Sequence, residues 1–223
     1  MRFFRDRAEA AHLLAEALTQ YRGRNPLVLA IPRGAVPMGR IVAQALNGDL
    51  DVVLVRKLRA PGNPEFAVGA VAESGWTYVA DDAAAAGIMH DYLERERTYQ
   101  LTVIRHRRVL YTPGHPAIAS ENRTVIVIDD GLATGSTMIA ALHAVRARNP
   151  ATLVCAVPVA SPEALARVKG GADRTVCLVS SGELSAISQF YDAFPQVTDD
   201  EVIAILSAVK QGNSPIAARN GQW

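Results

Sequence analysis

The sequence predicts an α/β protein, a mostly parallel twisted sheet flanked by helices, with a hood subdomain inserted at about residues 67–120. Three observations predict it. Short apolar, β-branched runs alternate with helix-like stretches over most of the chain. Turn residues bound these runs, which are too short for buried helices. The alternation breaks twice, at 67–80 and 90–110, and an insertion would produce that break.

In chain order, "DRAEAAHLLAEAL" places Asp6 as a cap with Glu9 three residues on and apolar residues at helical spacing, which predicts a first helix. "LVLAI" (27–31) predicts the first strand, "GRIVAQAL" a helix and "DVVLV" (51–55) a second strand suited to a central sheet. "AVGAVAESGWTYVA" (67–80) predicts two short antiparallel strands turning at Ser74 and Gly75. "HDYLERERTYQLTVIRHRRVL" (90–110) predicts a long charged helix ending at the Pro/Gly turn "TPGHP". "TVIVI" (124–128), "TLVCAV" (152–157) and "RTVCLV" (174–179) continue the sheet. Helices fall at about 136–148 and, capped by Ser161 before Pro162, at about 162–169. These elements make one unit over 1–210, and "QGNSPIAARNGQW" (211–223) reads as a loose polar tail.

Composition narrows the function. The chain has 49% hydrophobic and 20% charged residues and a net charge of +1. It therefore has no global attraction for nucleic acid or anionic membranes, and any anion site must be local. The start "MRFFRDRAEA" has no apolar h-region, and no run approaches the ~18 apolar residues that span a bilayer, so a cytoplasmic, soluble protein is expected. Cys155 and Cys177 sit inside apolar runs and read as small buried thiols.

The chemistry concentrates in "TVIVIDDGLATGST", Thr124 to Thr137. An apolar strand ends in two carboxylates, Asp129 and Asp130, at the sheet edge where α/β proteins bind ligands. The loop after them offers backbone N–H groups, the hydroxyls of Thr134, Ser136 and Thr137, and a helix start, which together cradle a phosphate. The acids cannot face that phosphate, because like charges a few ångströms apart repel. A sugar phosphate satisfies both halves, its phosphate in the loop and its vicinal hydroxyls on the carboxylates.

Other loops are weaker. "GAVPMGR" (34–40) has P-loop spacing but carries Arg40 and Ile41 where lysine and a hydroxyl belong, which excludes the NTPase reading. Pro32-Arg33-Gly34 follows the first strand and combines close backbone approach with a permanent cation. Arg56 and Lys57 follow the second strand on the same edge. "RHRR" (105–108), downstream of "ERER", reads as a solvent face with i,i+4 pairing.

The segment from Asp129 to Thr137 resembles the signature of type I phosphoribosyltransferases, enzymes that use phosphoribosyl pyrophosphate (PRPP) and Mg²⁺. The resemblance to a group of small, poorly characterised members extends over "VRKLRAPGNPEFAVGAV" and "VTDDEV". It implies transfer of the 5-phosphoribosyl group to a nitrogen nucleophile, a nucleobase or related heterocycle, with release of pyrophosphate. The alternative it leaves is a non-catalytic PRPP or nucleotide sensor.

By position, the resemblance assigns Asp129 and Asp130 to the ribose hydroxyls and Ala133, Thr134, Gly135, Ser136 and Thr137 to the 5′-phosphate. Arg33, Gly34, Arg56 and Lys57 meet the pyrophosphate. Mg²⁺ is held mainly by PRPP, with Asp129 and Asp130 in its outer shell and no direct protein ligand. Arg59 to Pro64 would form a mobile lid, and Glu65 at its end would be a general base. Phe190 and Tyr191, with Phe194 nearby, offer ring faces for the acceptor. Hypoxanthine-guanine enzymes carry an acid where Ala133 stands, so the loop is closer to the adenine enzymes' "LATGGT" and a 6-oxopurine fits less well. Related folds often form homodimers. Expected partners are therefore PRPP and a small acceptor, without nucleic acid or membrane.

Overall fold

The computed structural model describes residues 3–80, 89–114 and 116–212. Among them, five parallel strands form a sheet in the order β2-β1-β6-β7-β8: β1 Leu27–Ala30, β2 Asp49–Val52, β6 Thr124–Ile128, β7 Thr152–Ala160 and β8 Arg174–Ser180. Its register sets Ala30 beside Val52 and Ile128, and Ile128 beside Ala156. The carboxyl ends of the central strands therefore open together at one edge.

Alternation along the strands builds two cores. Val28, Ala30, Ile126 and Ile128 face one side with α1 (Arg7–Ala17), α2 (Ala35–Leu46) and α6 (Asp199–Gly212). Leu27, Leu29, Val125 and Val127 face the other, with α4 (Ser136–Arg146) and α5 (Pro162–Val168). The expected caps are present: Glu9 N donates to Asp6 Oδ1 at 2.9 Å and Ala164 N to Ser161 Oγ at 3.0 Å.

The predicted strand at 51–55 is corrected. β2 ends at Val52, and Val55 opens β3 (Val55–Ala60) of a second, antiparallel sheet with β4 (Asn63–Ala72) and β5 (Thr77–Val79). Val53 N still donates to Ala30 O at 3.1 Å, whereas Leu54 O already accepts from Glu73 N at 3.0 Å. Val53 is buried in one core and Leu54 in the other, so the apolar run continues through the switch without marking it.

α3 (His90–Tyr111) packs along this sheet. Arg108 fastens it by a fork onto Glu73 at 2.8 and 2.7 Å and by a bond to Val52 O at 3.3 Å. The basic run at 105–108 is thus not a plain solvent face. The lid expected at Arg59–Pro64 is instead the end of the β3–β4 hairpin, which turns at Pro61 and Gly62. Side chains of α3 hold both backbone groups of Arg59: its N–H donates to Glu96 Oε1 at 3.2 Å, and its carbonyl accepts from Tyr92 Oη at 2.9 Å.

The sequence reading also missed α6, which runs on to Gly212. The tail from residue 213, and the alanine run at 83–86, lie outside the described residues.

Candidate active site

The carboxyl edge of the sheet carries two adjoining cavities of about 280 Å³ each. Ile31, Pro32, Lys57 and Thr137 line both of them. The first holds the acid pair, the loop Gly131–Gly135 and the Arg33-Gly34 turn. The second is lined by Arg56, Lys57, Arg59 and Arg107.

β6 delivers the acids. Because successive residues alternate across the strand, Asp130 falls on the α1 side and there meets Arg7. Arg7 Nε and Nη2 donate to Asp130 Oδ2 at 3.0 and 2.9 Å. The guanidinium also donates to Pro195 O at 2.6 Å and lies 3.6 Å above the Phe194 ring. Asp130 is therefore half structural, its Oδ1 uncommitted by Arg7. Among the described residues, no cation forks onto Asp129 in this way. Its Oδ1 accepts from Asp130 N at 2.9 Å, and burial, together with the charge of Asp130, holds its pKa well above the usual carboxylate range. Burial also raises Asp130, and Arg7 opposes that rise.

Gly34 makes the pair's packing feasible. A Cβ there would land on Asp130 Oδ2 and lie 3.1 Å from Arg7 Nη2, so the strand-to-helix turn can approach the acids only without a side chain.

The loop after the acids closes on itself as a cradle. Gly135, at φ +80°, turns the chain into α4 in the left-handed region that glycine favours. Thr134 Oγ1 and Ser136 Oγ lie 3.2 Å apart, and Ser161 Oγ donates to Ala133 O at 3.1 Å. Ala133, Thr134, Gly135 and Thr137 line the cavity. Ser136, only 2% exposed, sits behind them and supplies backbone, not surface. The first amides of α4 lack intrahelical partners and, with the helix dipole, favour an anion there.

The cationic residues come from two places. Arg33 follows β1, with Nη1 3.4 Å from Asp199 Oδ2 at the start of α6. Arg56 and Lys57 lie within β3 and not in a loop after β2, which corrects their expected setting while keeping them in the cleft. Arg56 Nε donates to Gln100 Oε1 at 2.9 Å, and Lys57 is exposed between the two cavities. Glu65 lies in β4, and its side chain is outside the described residues.

The acceptor residues are corrected. Phe190 and Tyr191 are 4% and 3% exposed, so neither offers an open face. Phe190 stacks on Phe3 with centroids 5.4 Å apart, and Tyr191 packs between Phe4 and Phe194. Tyr191 Oη donates to Asp130 O at 2.8 Å, so this ring supports the acid pair from behind. Cys155 is buried and its thiol is pushed up to about 12, and burial raises Cys177 as well; neither lines the cleft cavities.

Two residues escaped the sequence reading, Arg7 behind the acids and Arg107 in the cleft, and each left a signal. Arg7 heads the buried stripe Ala10, Ala11, Leu14 at helical spacing. Arg107 stands three residues after Ile104 and four before Tyr111, both buried. A cation inside an apolar stripe marks a side chain that points inward, toward a partner or a ligand.

Comparisons with known proteins agree with this geometry. The family model of the phosphoribosyl transferase domain matches residues 6–192. Two Mycobacterium tuberculosis proteins, from strains H37Rv and CDC 1551, provisionally named phosphoribosyl transferases, are 38% identical over 210 residues, covering 92% of this chain and 47% of theirs. The chain thus spans about half the length of these curated relatives. The crystal structure of TT1426 from Thermus thermophilus is similar at 47% identity and a TM-score of 0.76, covering 92% of this chain and 98% of that one. With the family matched across the sheet, the acid pair and the cradle, the chain belongs to the phosphoribosyl transferase domain family.

Proposed function

We propose that the protein transfers the 5-phosphoribosyl group from PRPP to a nitrogen nucleophile, releasing pyrophosphate. One observation carries this reading. An amide cradle and a pair of acids share one cavity, and a cationic wall lines the cavity that adjoins it, which together suit a sugar bearing a phosphate at one end and a diphosphate at the other. The same reading takes 1–210 as one catalytic unit, with its insertion opening at Val55, where β3 begins the second sheet, and not at 67.

The bond broken joins C1 of ribose to the diphosphate oxygen. Positive charge develops on the sugar ring, negative charge on the leaving group. Asp129 and Asp130 would accept from the diol and favour the cationic ring, while Arg33, Arg56 and Lys57 would stabilise the departing diphosphate. Arg59 of the hairpin and Arg107 of α3 wall the basic cavity, and excluding water there would strengthen each charge contact.

Among the described residues, no group of three or more His, Cys, Asp or Glu could hold a metal, and Arg7 already engages one of the two cleft acids. This donor set fits a divalent ion that arrives with the diphosphate and takes most of its ligands from it, with Asp129 and Asp130 in the outer shell. Bound Mg²⁺ would neutralise charge on the leaving group. No helix among the described residues is long and apolar enough to cross a membrane. A small-molecule acceptor, a cytoplasmic setting and a homodimer complete the reading.

The test is pyrophosphate release from PRPP and Mg²⁺ across a panel of nucleobases and amines. Acceptor-dependent release is expected. PRPP binding without turnover across the panel would instead identify a sensor.

A further inference from the structure

Of the four cations that line the second cavity, three stand on β3 and one does not. Arg107 reaches the second cavity from α3, fixed between buried Ile104 and Tyr111, with its side chain 19% exposed. Among the described residues that line this cavity there are four cations and no carboxylate. Arg56 is bonded to the neutral Gln100, and burial together with the positive charges of Arg107 and Arg59 draws its pKa down. Guanidiniums crowded in this way repel until an anion joins them.

One carboxylate approaches from behind. Asp199, the first residue of α6, accepts from Tyr111 Oη and lies 3.4 Å from Arg33 Nη1 and 4.0 Å from Arg107 Nη2. Arg33 lines the first cavity and Arg107 the second, so a single acid touches both sides of the wall. Both contacts are longer than the ~2.7–2.9 Å of a tight charge-assisted bond, so neither guanidinium is saturated.

We propose that Arg107 is a diphosphate-binding residue, and that Asp199 is the carboxylate which Arg107 and Arg33 exchange for the donor's diphosphate. This rests on the PRPP reading above. In the free protein Asp199 partly offsets the charge of the two guanidiniums at the wall. When the diphosphate enters, its oxygens replace a distant carboxylate with direct bonds, and Asp199 keeps Tyr111. Asp199 thus competes with the ligand for the charge of both guanidiniums.

The sign of one substitution separates this account from a merely structural role. Asp199→Asn keeps an acceptor for Tyr111 and removes the competing charge. It should bind pyrophosphate roughly three- to fivefold more tightly. Arg107→Gln should bind it roughly 10- to 100-fold more weakly. Arg105→Gln, at an exposed position on the same helix, should match the wild type.

The experiment is calorimetric titration of inorganic pyrophosphate with Mg²⁺ into all four proteins, with thermal melts to confirm folding and PRPP titrated into the wild type. Should Arg107→Gln melt early, Arg107→Lys carries the test, with an intermediate loss expected because the fork is gone but the charge remains. Tighter binding by Asp199→Asn together with weaker binding by the Arg107 variant supports the proposal. Wild-type affinity in the Arg107 variant, or weaker binding by a folded Asp199→Asn, overturns it while leaving the donor reading intact. A wild type that binds neither pyrophosphate nor PRPP overturns the donor reading as well.

Discussion

Asp129→Asn is expected to reduce PRPP turnover by about 10²- to 10³-fold while leaving the fold at least as stable as the wild type at pH 7. Asp129 stands at the end of β6 with a backbone N–H on its Oδ1, and among the described residues no guanidinium forks onto it. Burial, reinforced by the charge of Asp130, raises its pKa. A carboxyl group whose folded pKa is raised favours its protonated form in the folded state. Its stabilising share is fully present below the unfolded value of about 3.9 and is lost as pH rises through the folded pKa.

At neutral pH the wild type therefore carries a carboxyl group that burial makes costly to ionise, a cost that asparagine lacks. The variant's melting temperature should equal or exceed the wild type's at pH 7, with the difference narrowing toward pH 4. Turnover should fall because the amide neither supplies a charged acceptor to the ribose diol nor favours a cationic ring. A site that keeps a destabilising charge for chemistry shows this trade of stability against activity. Melts at pH 4 and 7, beside the pyrophosphate-release assay, check it. A variant that melts lower at pH 7, or that turns over normally, contradicts the assignment.

Arg7→Ala should have the opposite effect on stability. It strips the fork from Asp130, whose side chain is 18% exposed, and leaves a mostly buried carboxylate unpaired. Removing one partner of such a pair costs about 3–5 kcal/mol. For a chain of this length that lowers the melting temperature by roughly 6–20 °C. The bond to Pro195 O and the packing on Phe194 go with it, so the segment after Tyr191 loosens beside the cleft. The double variant Arg7→Ala/Asp130→Asn should be more stable than Arg7→Ala alone, because the orphaned charge is gone. Equal stability of the two would mean that the pair is a surface contact without energetic coupling.

These two neighbours show how far the sequence could be read. "IDDGLATGST" located the acids and the cradle, because strand end, charge and glycine are all local signals. It could not tell Asp129 from Asp130. Their difference comes from Arg7, 123 positions away, which the sheet's alternation selects for only one of them. The α/β class was equally legible in runs such as "LVLAI" and "TVIVI", each a buried strand bounded by turns.

What stayed hidden was tertiary. The switch from β2 to β3 falls inside one apolar run, since Val53 and Leu54 are buried on both sides of the change of sheet. Phe190 and Tyr191 look the same in sequence whether they stack on a ligand or on Phe3 and Phe4. Arg107 lay in a charged run whose solvent reading was reasonable residue by residue. Only the buried stripe through Leu101, Ile104 and Tyr111 shows that this helix turns part of its basic face inward.

The most direct measurement of the central claim is a crystal structure of the protein with PRPP and Mg²⁺ bound. The account predicts the 5′-phosphate on the backbone amides at Thr134 to Thr137, the ribose diol on Asp129 and the free oxygen of Asp130, and the diphosphate against Arg33 and Lys57. A donor bound away from this cleft, or bound in it with a phosphate group facing the two acids, would contradict it.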